Sequence, residues 1–140
     1  MVVIADFPNT KIEPFIQTSY EDVRYNCIAW AASDDTRWYE PDPYGIYYWP
    51  INIDREYTTE AYINLYETLG YLRCNNGDLE TGFIKIAVFE NGGLPSHAAR
   101  QLTDGNWTSK LGKNIDVTHT IFSIEDGLYG VVIQYLRKPV

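Results

Sequence analysis

The sequence predicts an α+β fold in which N-terminal helices pack on a C-terminal antiparallel β-sheet. Two segments of the N-terminal half, 18–33 and 58–70, place apolar residues at helical spacing. From Phe83 onward the chain is rich in alternating β-branched and aromatic residues, which is typical of strands. Helical segments followed by strand segments indicate a layered α+β arrangement. The 140 residues, 45% of them hydrophobic, can bury one core, so we expect a single domain over 1–140.

The first predicted helix follows an irregular lead-in, residues 1–17, which contains two prolines and no clear period. The helix starts at Thr18 or Ser19, either of which can cap it. Alternatively it starts close to Cys27, with residues 20–26 as an entering loop. One face of this helix carries small or apolar side chains: Val23, Cys27, Trp30 and Ala31.

A long aromatic-rich loop, residues 33–58, separates the two predicted helices. It contains three of the seven prolines and many of the Trp and Tyr residues. A connection of this length in a compact domain is usually functional or forms a lid over a site. The second helix begins at Thr58 or Thr59 and ends at Gly70, the expected C-terminal stop.

The predicted sheet begins with the strand FIKIAVFE, residues 83–90. The turn NGGLPS, residues 91–96, follows it, and HAARQL and NWTSKL then lie on either side of the hairpin turn Asp104-Gly105. The segment DVTHTIFSIED fits either a strand or a helix, and LYGVVIQYLRK is a strongly β-prone final strand. His97 therefore opens a predicted strand, whereas Cys27 lies on a predicted helix.

The charge balance disfavours some classes of partner. Eleven basic residues against 19 acidic ones give a net charge of −8, and such a chain repels nucleic-acid phosphates. No apolar run approaches the roughly 20 residues of a membrane span, and the start MVVIADFPNT lacks the basic lead of a signal peptide. We therefore expect no nucleic-acid or membrane partner, and a protein that is cytoplasmic or delivered by a non-classical route.

The two cysteines and two histidines do not show the spacing of a metal site. We expect no metal and no cofactor, and two free thiols as in a reducing compartment. Cys74 lies beside a polar turn with no helix behind it, so it ranks below Cys27 as a reactive thiol.

Cys27 and His97 are the candidate catalytic pair. A nucleophilic cysteine requires a base that accepts its proton and a third group that orients this base. Cys27 opens a small apolar segment, and His97 follows about seventy residues later, which is the order expected of a thiol hydrolase. The alternatives are a small buried core cysteine and a histidine in a surface turn. His119, within DVTHTIF, competes with His97 as the base.

Four motifs carry a family resemblance: NCIAWA, HAARQ, WTSKLG and DVTH. Together with the aromatic loop that ends in YYWP, they resemble a family of small bacterial and viral domains over residues 20–137. In layout the pattern is similar to papain-like and NlpC-type cysteine hydrolases. The resemblance implies a papain-like or NlpC-like arrangement of helices and sheet, with Cys27 as the nucleophile and His97 as the base.

The resemblance leaves the third catalytic residue open. Papain-like layouts place an Asn or Asp roughly fifteen to twenty residues after the histidine, which matches Asp116. A carboxylate there would hold the imidazole in one tautomer. NlpC-type layouts place the orienting group on the next strand, which matches Asn106 or Ser109.

These observations predict a thiol-dependent hydrolase of amide or peptide bonds, that is, a peptidase, amidase or deamidase acting on a peptide or protein. The expected substrate-binding residues lie beside the thiol, beside the imidazole and in the aromatic loop: Asn26, Trp107, Ser109, Trp38 and Trp49. The backbone N–H of Cys27 is the expected oxyanion donor, and the alternative side-chain donors are Asn26 and Gln17. The alternative is a non-catalytic acidic protein that binds and blocks a protein partner, since a net charge of −8 attracts basic surfaces.

Overall fold

Seven strands, three short α-helices and one 3₁₀-helix, Pro8–Lys11, make up the fold, which a computed structural model describes over all 140 residues. The elements are β1 (Ile16–Gln17), α1 (Cys27–Ala31), α2 (Thr59–Thr68), β2 (Leu72–Cys74), β3 (Phe83–Asn91), β4 (Leu94–Gln101), β5 (Trp107–Lys110), β6 (Asp116–His119), α3 (Ile121–Ile124) and β7 (Val131–Pro139). None of the helices combines the length and the apolar character needed to cross a membrane.

All seven strands join in one antiparallel sheet with the order β1-β6-β5-β4-β3-β7-β2. The predicted class, N-terminal helices packed on a C-terminal sheet, is therefore wrong. The sheet is the main structure, and the three α-helices have only five, ten and four residues. The expected papain-like or NlpC-like layout of helices and sheet is therefore wrong as well.

The first helix is short because residues 18–26 bond to the sheet instead of to themselves. The Thr18 N–H donates to the Asp116 carbonyl at 2.9 Å, and the Asp22 N–H donates to the Asn114 carbonyl at 3.3 Å. These long-range bonds override the helical spacing of the side chains, which is a weak signal on its own. The structure thus agrees with the alternative in which the helix begins at Cys27.

Caps and turns in the sequence predict several other boundaries. Thr58 caps α2 by accepting the Ala61 N–H at 3.2 Å. β3 and β4 form a hairpin across Gly92-Gly93, and β7 covers most of the predicted final strand. The ambiguous segment DVTHTIFSIED contains both β6 and α3.

The sheet separates two apolar clusters, one on each face. The face covered by α1, α2 and the aromatic loop is called the helix face below. Its sheet residues are Ile86, Val88, Ala98 and Leu136. The opposite face, covered by the start of the chain and by α3, is called the lead-in face. Its sheet residues are Ala87, Phe89, Ala99, Trp107 and Val117.

An opening in the sheet positions the candidate site. β4 and β5 pair at only two positions, Arg100 with Thr108 and Gln101 with Trp107. The remainder of β4, residues 94–99, has no strand partner on that side. We call this opening the β4–β5 gap. Helix α1 packs against both strands, so its N-terminus lies over the gap.

Candidate active site

Cys27 is the first residue of α1, and Asn26 fixes its position. The Asn26 Oδ1 accepts the backbone N–H groups of Ala29 at 3.2 Å and Tyr39 at 3.1 Å, and its Nδ2 donates to the Tyr39 carbonyl at 2.7 Å. Asn26 therefore caps the helix and ties the aromatic loop to it. The prediction that Asn26 binds substrate or an oxyanion does not fit this geometry, because these bonds already engage both polar atoms of its side chain.

The Cys27 thiol is half-buried and packs against the cluster on the helix face. Burial raises its pKa to about 11, although the backbone N–H groups of Ala98, Ile28 and Cys27 itself favour the thiolate. The thiol is therefore uncharged at pH 7. Ala98 directly follows His97 on β4. The thiol therefore lies close to the residue that comes after the candidate base.

His97 is completely buried on the lead-in face. Its ring stacks on Tyr129 with centroids 4.0 Å apart and an interplanar angle of 2°, and meets the Phe89 ring edge-on at 5.4 Å. Burial lowers the pKa of His97 well below its usual value. The imidazole is therefore neutral at pH 7, and the flanking rings fix its plane.

A chain of hydrogen bonds runs from His97 across β5 to the end of β6. His97 Nε2 lies 2.8 Å from Ser109 Oγ, which lies 2.6 Å from His119 Nε2. His119 Nδ1 in turn lies 2.7 Å from the Thr120 carbonyl oxygen. We call these four groups the histidine relay. The other ring nitrogen of His97, Nδ1, is buried and has no hydrogen-bond partner.

The structure does not join Cys27 to His97. No hydrogen bond connects the sulfur to the ring, and the two side chains lie on opposite faces of the sheet. The predicted dyad is therefore not formed in this conformation. The reason is the alternation of a β-strand: Ala98 points to the helix face, so His97 points away from α1. Only the β4–β5 gap, and no strand pairing, lies between them.

Asp116, the predicted third residue, does not reach His97. It lies on the helix face, where its Oδ2 accepts the Tyr25 hydroxyl at 2.7 Å. Its Oδ1 is buried without a partner, and burial raises the pKa of the carboxyl group. Ser109, the alternative on the next strand, is the residue that contacts the imidazole. The side chain of the other alternative, Asn106, bonds only to Asp104 in the hairpin turn.

The three tryptophans that were predicted to bind substrate pack elsewhere in the structure. Trp107 is 3% exposed and belongs to the lead-in cluster, and Trp49 is 5% exposed and packs on Tyr62. The Trp38 Nε1 donates to Glu40 at 3.0 Å within the aromatic loop. None of the three tryptophans lines a cleft with His97, because each ring is committed to packing or to the loop's own structure.

Lys110 is buried on β5, although a lysine at a strand end is normally solvated. It has no exposed surface, and its Nζ donates to the carbonyls of Asp22 at 2.5 Å, Tyr25 at 3.0 Å and Gly112 at 2.8 Å. We call this arrangement the lysine cage. It holds the segment that leads into Cys27 against β5. Two of the three carbonyls lie far from Lys110 in the chain, so no local signal in the sequence marked its burial.

The surface cavities lie away from Cys27 and His97, but one of about 140 Å³ is lined by His119 and Thr120 at the end of the histidine relay. Neither Cys27 nor His97 contributes to any of the five main cavities. The cavity with the most cationic groups encloses about 270 Å³ between Arg73, Lys85 and Arg137. No group of three or more His, Cys, Asp or Glu side chains is placed to hold a metal ion. The half-buried thiol and the buried imidazole thus share no surface cavity in this conformation.

Fold and site together define a small domain built on one antiparallel sheet, with a half-buried thiol and a buried histidine relay at a gap between two strands. The chain belongs to the family described as a domain of unknown function, DUF7689, whose model matches residues 16–137. No curated protein and no solved structure matches the chain. The family match does not connect it to papain-like or NlpC-type hydrolases.

Proposed function

We propose that the chain is a thiol-dependent hydrolase of amide or peptide bonds, with Cys27 as the nucleophile and His97 as the base. The observation that supports this most directly is the unpartnered Nδ1 of His97. A buried polar atom without a hydrogen bond destabilises a fold by about 1–3 kcal/mol. Such atoms are rare in native structures and invite a functional explanation. A ring nitrogen without a hydrogen-bond partner is free to accept the proton of a thiol that reaches it.

The approach of the thiol to this nitrogen requires a movement across the β4–β5 gap. A general base must come within about 3 Å of the group it deprotonates, or reach it through one water. The thiol already lies beside the Ala98 N–H, next to His97 in the chain. Because residues 94–99 of β4 pair with no strand on this side, such a movement breaks no strand pairing between β4 and β5. Substrate binding would supply the free energy for this closure.

The proposed reaction starts from two neutral groups, since burial raises the pKa of the thiol and lowers that of the imidazole. His97 Nδ1 takes the thiol proton as the sulfur attacks the carbonyl carbon, and the backbone N–H of Cys27 stabilises the oxyanion. The imidazolium then gives this proton to the leaving amine, and an acyl-enzyme remains. Water, deprotonated by His97, releases the carboxylic acid and restores the thiol.

Acylation by an activated ester tests this proposal. The Cys74→Ser variant, which retains a single thiol, is incubated with p-nitrophenyl acetate, and the adduct is followed by intact mass and peptide mapping. We expect acylation at Cys27 that is absent from Cys27→Ala and slower by about a hundredfold or more in His97→Asn, because general bases contribute on this scale.

His97→Gln serves as a second variant in case His97→Asn is unstable, and circular dichroism confirms that each variant is folded. An unmodified Cys27 in the folded parent would contradict the proposal. Equal acylation rates with and without His97 would contradict it too, because Cys27 would then behave as an ordinary thiol.

A second function, non-catalytic binding to a basic protein surface, is favoured by the exposed part of the aromatic loop. Tyr44, Ile46 and Ile51 are 85%, 71% and 97% exposed. Asp54 and Glu56 are exposed close to Ile51 in the sequence, on either side of Arg55, whose charge is paired with Asp42. Exposed apolar groups next to charges of one sign are typical of protein contacts. In this case the charge selects a basic partner.

Cytochrome c is a suitable basic probe for this second function, with binding measured by fluorescence anisotropy. We expect binding that weakens as salt shortens the Debye length toward about 8 Å, that persists in Cys27→Ala, and that falls in the double variant Ile46→Ser, Ile51→Ser. Ile12→Ser is the matched control, since Ile12 is 73% exposed outside the loop. Equal losses in the control and the double variant would show that the loop is not the binding surface.

A further inference from the structure

We infer that Ser109 and His119 are positioning residues that hold His97 in one tautomer, with its proton on Nε2 and its lone pair on Nδ1. The geometry of the histidine relay carries this inference. Its catalytic meaning rests on the proposed function, because only a base needs the lone pair on the nitrogen that faces no partner.

The direction of the relay follows from its last group. A carbonyl oxygen can only accept, so the bond at 2.7 Å to the Thr120 carbonyl requires a proton on His119 Nδ1. Burial lowers the pKa of His119 to about 4, so the ring is neutral at pH 7 and carries one proton. His119 Nε2 therefore has a lone pair and acts as an acceptor.

The donor and the acceptor in each of the two remaining hydrogen bonds are then fixed. The Ser109 hydroxyl has a single proton, which it donates to His119 Nε2 at 2.6 Å. Its oxygen can only accept in the bond of 2.8 Å to His97. His97 Nε2 consequently carries the proton of this neutral ring, and Nδ1 is left with the lone pair. If donors and acceptors were exchanged along the relay, the Thr120 carbonyl would have to donate a hydrogen bond, which it cannot do.

The relay is anchored at both ends. Thr120 is the N-cap of α3, and its carbonyl also accepts the Ser123 hydroxyl at 3.0 Å. His119 packs on Phe15 with centroids 5.7 Å apart, while Tyr129 stacks on His97. Neither ring can therefore turn over without disturbing the lead-in cluster. A buried and fully determined hydrogen-bond chain of this kind selects one proton arrangement.

The relay explains what Ser109 contributes to the proposed chemistry. With the opposite tautomer, His97 would present an N–H to the thiol and could not accept its proton. A serine that merely filled space would leave both tautomers available. Ser109 is completely buried, lies on the strand next to β4 and contacts the imidazole directly, so it acts on the base and not on the substrate.

Nitrogen NMR of the imidazole rings tests the inference directly, because the chain has only two histidines and therefore four ring nitrogens. At pH 7 we expect His97 to be protonated at Nε2 alone and His119 at Nδ1 alone. In Ser109→Ala, His97 should shift toward a mixture of tautomers, while His119 keeps its proton on Nδ1 because the Thr120 carbonyl remains. Ser109→Thr retains the hydroxyl and should restore the parent pattern.

The matched control is Thr118→Ala, which removes a hydroxyl from β6 that makes no side-chain hydrogen bond to the relay. The acylation rate at Cys27 should fall about tenfold or more in Ser109→Ala and recover in Ser109→Thr. Its value in Thr118→Ala should be that of the parent.

A proton on His97 Nδ1 in the parent protein would overturn the inference whatever the acylation assay shows. An unchanged acylation rate in a folded Ser109→Ala would equally overturn the positioning role. The expected tautomers together with no acylation of Cys27 in any variant would support the relay and reject the hydrolase, so the two proposals fail separately.

Discussion

Replacing Lys110 by methionine is expected to lower the free energy of unfolding by about 3–5 kcal/mol, because it removes a buried cation from its partners. The Nζ of Lys110 is the donor to three carbonyl oxygens, and the bond to Tyr25 is fully buried. Methionine has a similar length but donates no hydrogen bond, so these carbonyls lose their partner. Asp116 also loses the ammonium group that favours its charged form.

Urea denaturation measures this effect, and Lys113→Met is the matched control. Lys113 lies three positions further along the chain and is exposed, so its substitution should change stability by no more than about 0.5 kcal/mol. Equal midpoints for the two variants would mean that the lysine cage does not stabilise the fold. Because the cage holds the segment before Cys27, we also expect slower acylation of Cys27 in Lys110→Met.

Replacing Gly130 by alanine is expected to lower the free energy of unfolding by about 2–5 kcal/mol. Gly130 has φ +74°, where an alanine is strained by roughly 1–2 kcal/mol. A Cβ at this position would also collide with the backbone carbonyl of Glu90, and such overpacking destabilises by about 1–3 kcal/mol. The backbone on both sides of the contact is held in β3 and at the start of β7, so neither side can yield easily.

Gly93→Ala separates the two causes. Gly93 has φ +81° in the β3–β4 turn, but no atom lies within 4 Å of the position that a Cβ would take there. Thermal unfolding should therefore show only the backbone strain in this control, and a clearly larger loss in Gly130→Ala. If both variants lost the same stability, the contact with Glu90 would be insignificant. Gly130 follows Tyr129, so its replacement should also disturb the stack on His97, visible as a shift of the His97 ring signals.

Local signals in the sequence predicted those parts of the fold that depend on local physics. The Thr58 cap, the Gly92-Gly93 turn and the β-branched run of β7 all appear where propensity and turn chemistry place them. The predicted helix from Thr18 failed because its backbone groups found partners on β6 and in the turn before it. Those partners lie about a hundred residues away in sequence, where periodicity carries no information.

The candidate site also combines features that local sequence predicts with features that depend on strand register. The neighbours in the chain predicted Cys27 on a helix and His97 at the start of a strand. In the structure Cys27 begins α1, as in the alternative prediction, and His97 is the fourth residue of β4. The face to which His97 points depends on the register of β4, and a shift of one residue would reverse it. For the same reason the His97 ring contacts Ser109 and not Asp116, which points to the helix face beside Tyr25.

The sequence alone determined the chemical inventory of this domain: one thiol before a small apolar helix, one imidazole on a strand, an acidic surface and a C-terminal half that forms strands. Tertiary structure alone decided which of these groups meet. Strand pairing assigns each side chain to one face of the sheet, and burial then sets its protonation. Thus an inconspicuous serine and the second histidine become the partners of His97, while the thiol lies across a gap from it.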